Sequence, residues 1–384
     1  MNISRMKRFN QDPDMRTLFY NGIFFTGTEL VDNKVLITEG DRISGFADRD
    51  ADPAGVIRID CGGHLVIPGL IDLQIAGGGG YLFSSNPTEE ALVRIAESIV
   101  STGTTGFLLA LPTNAPAVYR AAFRTVQNST HPALLGLHME GPFISFARRG
   151  AHAPDLIQKP TPGNVSSMLE EAGGTIRMMT VAPETCPPEV ISILRENGIT
   201  VAAGHSNSTF REASQGFEMG IETTTHLFNA MSPLHHRDPG LPGAAFISES
   251  ACASIIADGI HVAYGMVAIA KKVMKDRLFL VSDAVEENDQ GAYMHVKQKD
   301  RYTLPDGTLS GAKLTMLDAV RNCILHAGMD KYEAIRMATL YPSRLIRAAD
   351  RGVITPGSRA DLLIIDSEMR LKGLCFKGQT ELKD

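Results

Sequence analysis

From Pro68 onward, short uninterrupted apolar runs alternate with segments that have the spacing of amphipathic helices. Consecutive apolar residues predict strands buried on both faces. There are eight such runs: PGLIDLQI, TTGFLLALPT, LLGLHMEGP, TIRMMTVAPE, ITVAAGHS, TTTHLF, SIIADGIHV and LFLVSDA. The intervening segments with helical spacing are PTEEALVRIAESIVSTG, APAVYRAAFRTVQ, PPEVISILRENG and FREASQGFEMG. This alternation is typical of an α/β protein and predicts a (β/α)8 barrel of parallel strands.

The two ends of the chain have a different pattern. Residues 1–14 lack periodicity and are predicted to be a flexible tail. Residues 15–67 contain short β-rich runs broken by Asn-Gly, Glu-Gly-Asp and Gly-Gly turns. Residues 350–384 contain runs of the same kind, GVITPGSRADLLIID and LKGLCFKGQ. We therefore expect both ends to join one small β-domain beside the barrel.

Composition narrows the class of protein. The chain has 384 residues, of which 43% are hydrophobic and 21% charged, as in ordinary globular proteins. Its formal net charge of −6 argues against a general nucleic-acid binder. It is compatible with a small anionic ligand, because one arginine can bind a phosphate. No run approaches the roughly 18 apolar residues of a spanning helix, so no membrane partner is expected.

Cysteine usage and the first residues indicate the compartment. The five cysteines are odd in number, far apart and without a C-x-x-C pair. A disulfide framework or a cysteine zinc site is therefore not expected, and a reducing cytoplasm is the predicted location. The polar N-terminus lacks the apolar segment of a signal peptide.

Polar side chains with metal or acid–base chemistry occur at the ends of five of the apolar runs. They are Glu140, His205, His226, His261 and Asp283. The active sites of (β/α)8 barrels lie at the carboxyl ends of the strands. A buried carboxylate also needs a cation or a strong hydrogen-bond partner. We interpret this set as the site of a metal-dependent hydrolase.

Glu140, His205 and His226 are the candidate metal ligands. Catalytic zinc sites commonly use three nitrogen or oxygen ligands and leave one position for water. A single histidine of this kind is more often a hydrogen-bonded buried side chain. Three such residues at strand ends reverse that preference.

Asp283 and His261 are the candidate catalytic pair. Asp283 would take a proton from a metal-activated water and return it to the leaving amine. The alternative is a helix N-cap, a position that aspartate favours. His261 could donate to the oxygen of a polarised carbonyl, or equally bond a neighbouring loop.

The segment HLFNAMSPLHHRDPG is rich in hydrogen-bond donors. Its Arg237 suits bidentate phosphate recognition, although an exposed loop arginine is the more common explanation. His152 lies in a loop rich in glycine and proline that could reach over the barrel mouth. Tyr293 and His295, in a polar stretch after Asp283, receive no predicted role.

The chain resembles the amidohydrolase superfamily, and within it the deacetylases of amino sugar phosphates. The matching motifs span nearly the whole chain after the tail, and their order and spacing also fit. They are PGLIDLQ, LHMEGPF, GAHAP, VAPE, AGHSNST, THLFNAM, RDPGLPGA, IADGIHV, VSDA, GTLSGAKLTM and MATLYPSR.

The resemblance implies a (β/α)8 barrel over residues 68–349 and a small β-sandwich built from residues 15–67 and 350–384. It assigns the metal to Glu140, His205 and His226, and catalysis to Asp283 and His261. The substrate contacts that it implies are Ala151, His152, Asn229, Ala230, Arg237, His261, Leu309, Ser310, Gly311 and Ala312. It also implies a homodimer or larger homo-oligomer, in which Arg237 serves its own or a neighbouring subunit's site.

The reaction that the resemblance implies is hydrolysis of the acetamide of N-acetyl-D-glucosamine 6-phosphate to D-glucosamine 6-phosphate and acetate. The expected cofactor is one divalent ion per subunit, zinc first, with iron, manganese or cobalt compatible with the same ligands. The galactosamine epimer is an open alternative, as is a non-catalytic barrel that binds a sugar phosphate. A cyclic-amide hydrolase or deaminase is less favoured, because His-x-His and a bridging lysine are not evident.

The first strand departs from the superfamily pattern. Many amidohydrolases have His-x-His there, which helps to bind a second metal, whereas this chain has Gln74-x-Ala76. Alanine offers no ligand atom, and a neutral amide is a poorer ligand than imidazole. A single metal ion is therefore predicted.

Overall fold

The computed structural model describes residues 7–9, 15–51 and 55–383. Its central sheet has eight parallel strands, which follow each other around the sheet in chain order. They are β1 (Leu70–Ile75), β2 (Thr104–Pro112), β3 (Leu134–Glu140), β4 (Ile176–Val181), β5 (Thr200–Ala203), β6 (Thr223–Thr224), β7 (Cys252–Ile255) and β8 (Leu278–Leu280). Every predicted run is confirmed as a strand, including the short β6.

The barrel closes between β1 and β8 partly through a side chain. A parallel bridge joins Ile75 to Ala284 beyond the end of β8. Deeper in the barrel, the buried carboxylate of Asp72 accepts hydrogen bonds from the backbone N–H and the hydroxyl of Ser282. These contacts hold the first and last strands together, the bridge at the barrel mouth and Asp72 below it.

Helices pack around the sheet, and the four predicted ones are confirmed. In the helix Phe210–Met219, the side chain of Thr209 accepts from the backbone N–H of Glu212 at 3.3 Å. The carboxylate of Glu212 accepts in return from the N–H of Thr209 at 2.8 Å, which completes a capping box. The α-helices are Glu89–Ser101, Pro116–Asn128, Pro162–Ala172, Pro188–Glu196, Phe210–Met219, Gly240–Ile247, Tyr264–Met274, Met316–Ala327, Lys331–Met337 and Leu340–Leu345. Among the helices that the structure describes, none combines the length and the hydropathy of a transmembrane segment.

The chain ends form two further sheets that share one apolar core, so the β-sandwich is confirmed. One sheet has the order Lys7–Phe9, Gln379–Leu382, Leu371–Phe376, Leu362–Ile365, Leu65–Pro68, Ile23–Phe25 and Leu30–Val31. The other has the order Arg42–Asp48, Lys34–Glu39, Arg16–Tyr20 and Ile57–Asp60. Their shared core includes Phe19, Phe24, Leu36, Val66 and Leu362.

The strand Lys7–Phe9 lies within the predicted tail, residues 1–14, and pairs antiparallel with residues 380–382. The rest of that predicted tail lies outside the described residues.

A buried ion cluster connects the sandwich to the barrel. Asp361 binds Arg359 at 2.9 Å and Arg351 at 3.3 Å, and Arg351 also donates to the backbone carbonyl of Thr105 on β2.

A third small sheet lies between β8 and the helix Met316–Ala327. Its antiparallel strands are Val296–Lys297, Arg301–Thr303 and Leu309–Ala312. We call residues 284–312 the flap. Because the flap follows β8 directly, it begins at the carboxyl end of the barrel, where the candidate site residues lie.

Candidate active site

Three side chains from β3, β5 and β6 form a triangle at the barrel mouth. Glu140 is the last residue of β3, and His205 and His226 follow two residues after β5 and β6. The Glu140 Oε1 atom lies 3.2 Å from His205 Nε2 and 3.0 Å from His226 Nε2. The two Nε2 atoms are 3.1 Å apart. All three residues are buried, and the structure brings them together as a group that could hold a metal ion.

The backbone is turned sharply to aim these side chains. The φ angles of His205, His226 and Asp283 are 46°, 33° and 52°. They lie in the left-handed region, which residues other than glycine rarely adopt. Such strain persists where the surrounding structure enforces it, and it is common at functional sites. Gly204 contributes close packing, since a Cβ there would lie 2.8 Å from the Cβ of Thr225.

The hydrogen bonds around the triangle leave a lone pair pointing into it. The Nδ1 atom of His205 lies 3.2 Å from the backbone carbonyl oxygens of Arg148 and Arg149, so Nδ1 carries the proton and Nε2 does not. Although burial opposes it, contact with the two imidazoles holds the pKa of Glu140 well below its usual range. Burial also opposes protonation of His226, but the Glu140 carboxylate raises its pKa. The carboxylate therefore favours positive charge at the centre of the triangle, which a metal ion can supply in place of a proton on the imidazole.

This donor set fits a divalent metal ion. One carboxylate oxygen and two imidazole nitrogens are ligands that zinc and other first-row ions accept. Ligands about 2.0–2.2 Å from a tetrahedral ion lie about 3.3 Å from one another. The edges of the triangle, 3.0–3.2 Å, are close to that separation.

Gln74 on β1 connects the triangle to Asp283. Its amide Nε2 donates to Glu140 Oε1 at 2.8 Å and to Asp283 Oδ1 at 3.0 Å. The Gln74 Oε1 atom is buried and has no hydrogen-bond partner among the described residues. Ala76, two residues later, lies on the cavity wall and offers no ligand atom. The first strand thus holds two carboxylates together with one neutral amide.

Asp283 lies three residues beyond β8 and faces the same cavity. Its backbone N–H donates to the carbonyl of Gln74 at 3.0 Å, and its own carbonyl accepts from Ala312 at 2.9 Å. Partial burial, together with the neighbouring Glu140 carboxylate, raises the pKa of Asp283 to about 7. A carboxyl group with this pKa can accept and release a proton near neutral pH.

The cavity has a volume of 260 Å³, and most of the predicted site residues line it. The triangle and Asp283 lie on its wall together with the following predicted residues: Ala151, His152, Asn229, Ala230, His261, Leu309, Ser310 and Gly311. Two predicted residues do not line it. Ala312, the last residue of the flap strand Leu309–Ala312, is fully buried, and Arg237 lies exposed on the loop after β6.

His152 lies beside the triangle in a neutral form. The backbone N–H of Thr113 donates to its Nδ1 at 3.3 Å, which leaves the ring proton on Nε2, 3.8 Å from Glu140 Oε2. Burial, with the nearby His205, lowers the pKa of His152 to about 3. The ring therefore offers a neutral N–H donor at the edge of the triangle.

Sequence reasoning missed several residues of the site. His138, two residues before Glu140, lies beneath the triangle and contacts Thr180 Oγ1 at 2.7 Å. Its spacing of two along a strand places it on the same face as Glu140 and was an available signal. Tyr293 and His295 of the flap also line the cavity. His295 contacts Ser310 Oγ through Nδ1 at 2.8 Å, a pairing that the polar sequence of the flap did not indicate.

Comparisons with known proteins agree with this architecture. Residues 65–381 match the amidohydrolase family. N-acetylglucosamine-6-phosphate deacetylase of Haemophilus influenzae is 31% identical over 380 residues, which are 95% of this chain and 99% of that protein. N-acetylgalactosamine-6-phosphate deacetylase of a Shewanella species is 34% identical over 326 residues, covering 82% of both proteins.

Solved structures give the same result. The crystal structure of N-acetylglucosamine-6-phosphate deacetylase from Pasteurella multocida has a TM-score of 0.91 at 30% identity, covering 96% of this chain and 100% of that one. A variant of the Mycobacterium smegmatis enzyme, in complex with N-acetyl-D-glucosamine-6-phosphate, has a TM-score of 0.88 at 28% identity, covering 95% and 99%. The chain therefore belongs to the amidohydrolase family.

Proposed function

We propose that this protein hydrolyses N-acetyl-D-glucosamine 6-phosphate to D-glucosamine 6-phosphate and acetate. The observation that carries the proposal is the triangle of Glu140, His205 and His226, joined to Asp283 by the amide of Gln74 in one cavity. The substrate bound to the Mycobacterium smegmatis relative, and the name of the Haemophilus influenzae relative, support the choice of sugar phosphate.

The proposed cofactor is one divalent metal ion per subunit, with zinc the first candidate. Glu140, His205 and His226 would hold it, and it would lower the pKa of a bound water and polarise the acetamide carbonyl. Gln74 and Ala76 support a single ion. The Gln74 amide directs its N–H groups at both carboxylates, an arrangement that repels a second cation.

Asp283 is the proposed general base and acid. Its carboxylate takes the proton from the attacking water as the new C–O bond forms at the acetamide carbon. It then delivers that proton to the sugar nitrogen as the C–N bond breaks, releasing acetate and the amine. Gln74 holds Oδ1, so Oδ2 is the oxygen left for the proton. His261 is the proposed donor to the acetamide oxygen.

The proposed phosphate contact is Arg237 of a second subunit in a homodimer. Among the described residues that line the cavity, none is lysine or arginine, although the proposed substrate carries a phosphate. Arg237 is exposed on the loop after β6, seven residues beyond the cavity-lining Ala230, and suits a bidentate phosphate contact. The single substitutions Arg237→Ala and Asp283→Asn should each lose activity at low substrate. Mixed dimers of the two should regain it only if Arg237 acts across the interface.

The proposed location is the cytoplasm. All five cysteines are free, and four of them are buried. Burial raises the pKa of Cys61 and Cys323 to about 12, so these thiols stay protonated. Unpaired thiols are usual in a reducing compartment.

The test is acetate release from N-acetylglucosamine 6-phosphate by metal-loaded protein, with the unphosphorylated sugar and the galactosamine 6-phosphate epimer measured alongside. Preference for the first substrate is the expected result. Equal release from the unphosphorylated sugar would contradict the proposed phosphate contact but would agree with the proposed amide hydrolysis. Preference for the galactosamine epimer would change the substrate, and no release from any sugar would refute the proposal.

A further inference from the structure

His261, the proposed donor to the acetamide oxygen, has a buried partner that the sequence analysis did not identify. Its Nδ1 atom lies 2.6 Å from Asp258 Oδ2, and both side chains are 6% exposed. A carboxylate can only accept in this contact, so the proton lies on Nδ1. The opposite nitrogen, Nε2, is then the one available to the cavity that His261 lines.

Asp258 is itself fixed in place. Its other oxygen, Oδ1, accepts the backbone N–H groups of Ile260 and His261, both at 2.8 Å. Gly259, with a φ of 75°, makes the tight turn between Asp258 and Ile260. A Cβ at this position would lie 2.6 Å from the ring of Tyr264. One oxygen thus holds the turn and the other holds the imidazole.

The charge of Asp258 is also maintained. Burial acts to raise the pKa of this carboxyl, but the hydrogen bond and charge of His261 and the two backbone donors outweigh it and hold the pKa below its ordinary value. The carboxylate therefore stays ionised at neutral pH, as an acceptor for Nδ1 must.

We propose that Asp258 is a positioning residue of the deacetylase reaction, which fixes the proton of His261 on Nδ1 and aims Nε2 at the acetamide oxygen. The inference rests on the proposed function for its consequence in catalysis. The location of the proton on His261, which is the structural part of the inference, does not depend on that function.

This geometry limits how His261 can act. With Nδ1 protonated, the neutral ring has a lone pair on Nε2 and cannot donate to a carbonyl oxygen. Donation requires a second proton on Nε2, and the resulting imidazolium has the Asp258 carboxylate as its counter-charge at 2.6 Å. Asp258 would then stabilise the charged ring that polarises the acetamide.

A purely structural role for Asp258 makes a different prediction. If Asp258 served only to hold the turn, an asparagine would replace it well, since its Oδ1 can accept the same two N–H groups. The asparagine Nδ2 would then face His261 Nδ1 as a donor. That contact moves the ring proton to Nε2 and removes the negative charge that stabilises the imidazolium. The turn then survives, while His261 can offer only a neutral donor to the acetamide oxygen.

The experiment compares Asp258→Asn with Asp330→Asn in the metal-loaded protein. Asp330 is a matched control, because one of its oxygens accepts two backbone N–H groups at 3.0 Å and no histidine contacts it in the described structure. A charged donor forms a hydrogen bond roughly twice as strong as a neutral one, and loss of a whole donor to a developing oxyanion costs about 10²–10³-fold in kcat. We expect kcat to fall roughly 10- to 30-fold in Asp258→Asn, because the charged donor becomes a neutral one, with KM, metal content and melting temperature close to wild type.

The second readout is the tautomer of His261, measured by ¹⁵N NMR of histidine-labelled protein, with His261→Gln used to assign the signal. The proton should lie on Nδ1 in the wild type and in Asp330→Asn, and on Nε2 in Asp258→Asn. A wild-type proton on Nε2 alone, or an unchanged tautomer in Asp258→Asn, would overturn the positioning role. A changed tautomer with unchanged kcat would overturn its catalytic consequence. If the wild type released no acetate, the proposed function would fail while the tautomer result still stood.

Discussion

Replacing Asp283 by asparagine separates proton transfer from every other property of the site. Asparagine has nearly the same shape, and its Oδ1 can still accept the Gln74 Nε2 hydrogen bond of 3.0 Å. The backbone at this position stays fixed by hydrogen bonds to Gln74 and Ala312. Its φ of 52° is also one that asparagine tolerates well. The fold and the metal ligands should therefore be unaffected.

The expected loss is confined to turnover. Gln74 occupies Oδ1, so the proposed proton acceptor is Oδ2, and asparagine replaces that atom with an amide nitrogen that cannot take a proton. General acid–base catalysis contributes about 10²–10⁴-fold, which corresponds to about 3–5 kcal/mol of activation free energy. We expect kcat for acetate release to fall by that factor and KM to change little.

The assay follows acetate release at saturating N-acetylglucosamine 6-phosphate, with metal content measured on the same sample. Asp289→Asn is the control, because Asp289 is an exposed residue of the flap six positions later. If Asp283→Asn with a full complement of metal kept turnover within about threefold of wild type, well short of the loss expected for acid–base catalysis, the assignment of the base would be wrong.

Three further results are expected. Metal analysis should find one tightly bound ion per subunit, and chelation should abolish activity; two tightly bound ions would contradict the role given to Gln74. Asp361→Ala should lower the free energy of unfolding by about 3–5 kcal/mol in urea denaturation, because it leaves two arginines buried without their carboxylate. The control Asp48→Ala, at an exposed position, should stay close to wild type. Equal losses in the two variants would contradict the stabilising role of the buried ion cluster. Burial raises the pKa of Asp72 from 3.8 to about 6 despite its bonds to Ser282, so the folded protein binds this proton more tightly than the unfolded chain. The contribution of Asp72 to the stability of metal-free protein should therefore fall by about 3 kcal/mol as pH rises from about 4 to 6. The difference in unfolding free energy between wild type and Asp72→Asn, measured across that range, should show this loss.

The barrel was predictable because its strands are buried on both faces. That environment selects uninterrupted apolar runs, so even β6, with two regular residues, was found from TTTHLF. The site was predictable to the extent that its residues end those runs. Glu140, His205 and His226 lie where barrel topology brings strand ends together.

Other parts of the site depend on contacts that leave no local pattern. Gln74 bonds residues 66 and 209 positions away, so its two acceptors could not be found from sequence spacing. His295 lies in a polar flap without a buried face along the sequence, and its contact with Ser310 arises only when the flap folds back. The position of Arg237 outside the cavity reflects loop geometry, which the periodicity of flanking elements does not specify.

The order of strands in the sandwich has a consequence for synthesis on the ribosome. Leu65–Pro68 pairs on one side with Ile23–Phe25 and on the other with Leu362–Ile365, which is translated almost 300 residues later. The whole barrel emerges before that partner strand exists. The early strands must therefore wait with an open hydrogen-bonding edge, and edges of this kind attract other chains. Nascent chains stalled before Leu362 should be more prone to aggregation than chains released after Leu382.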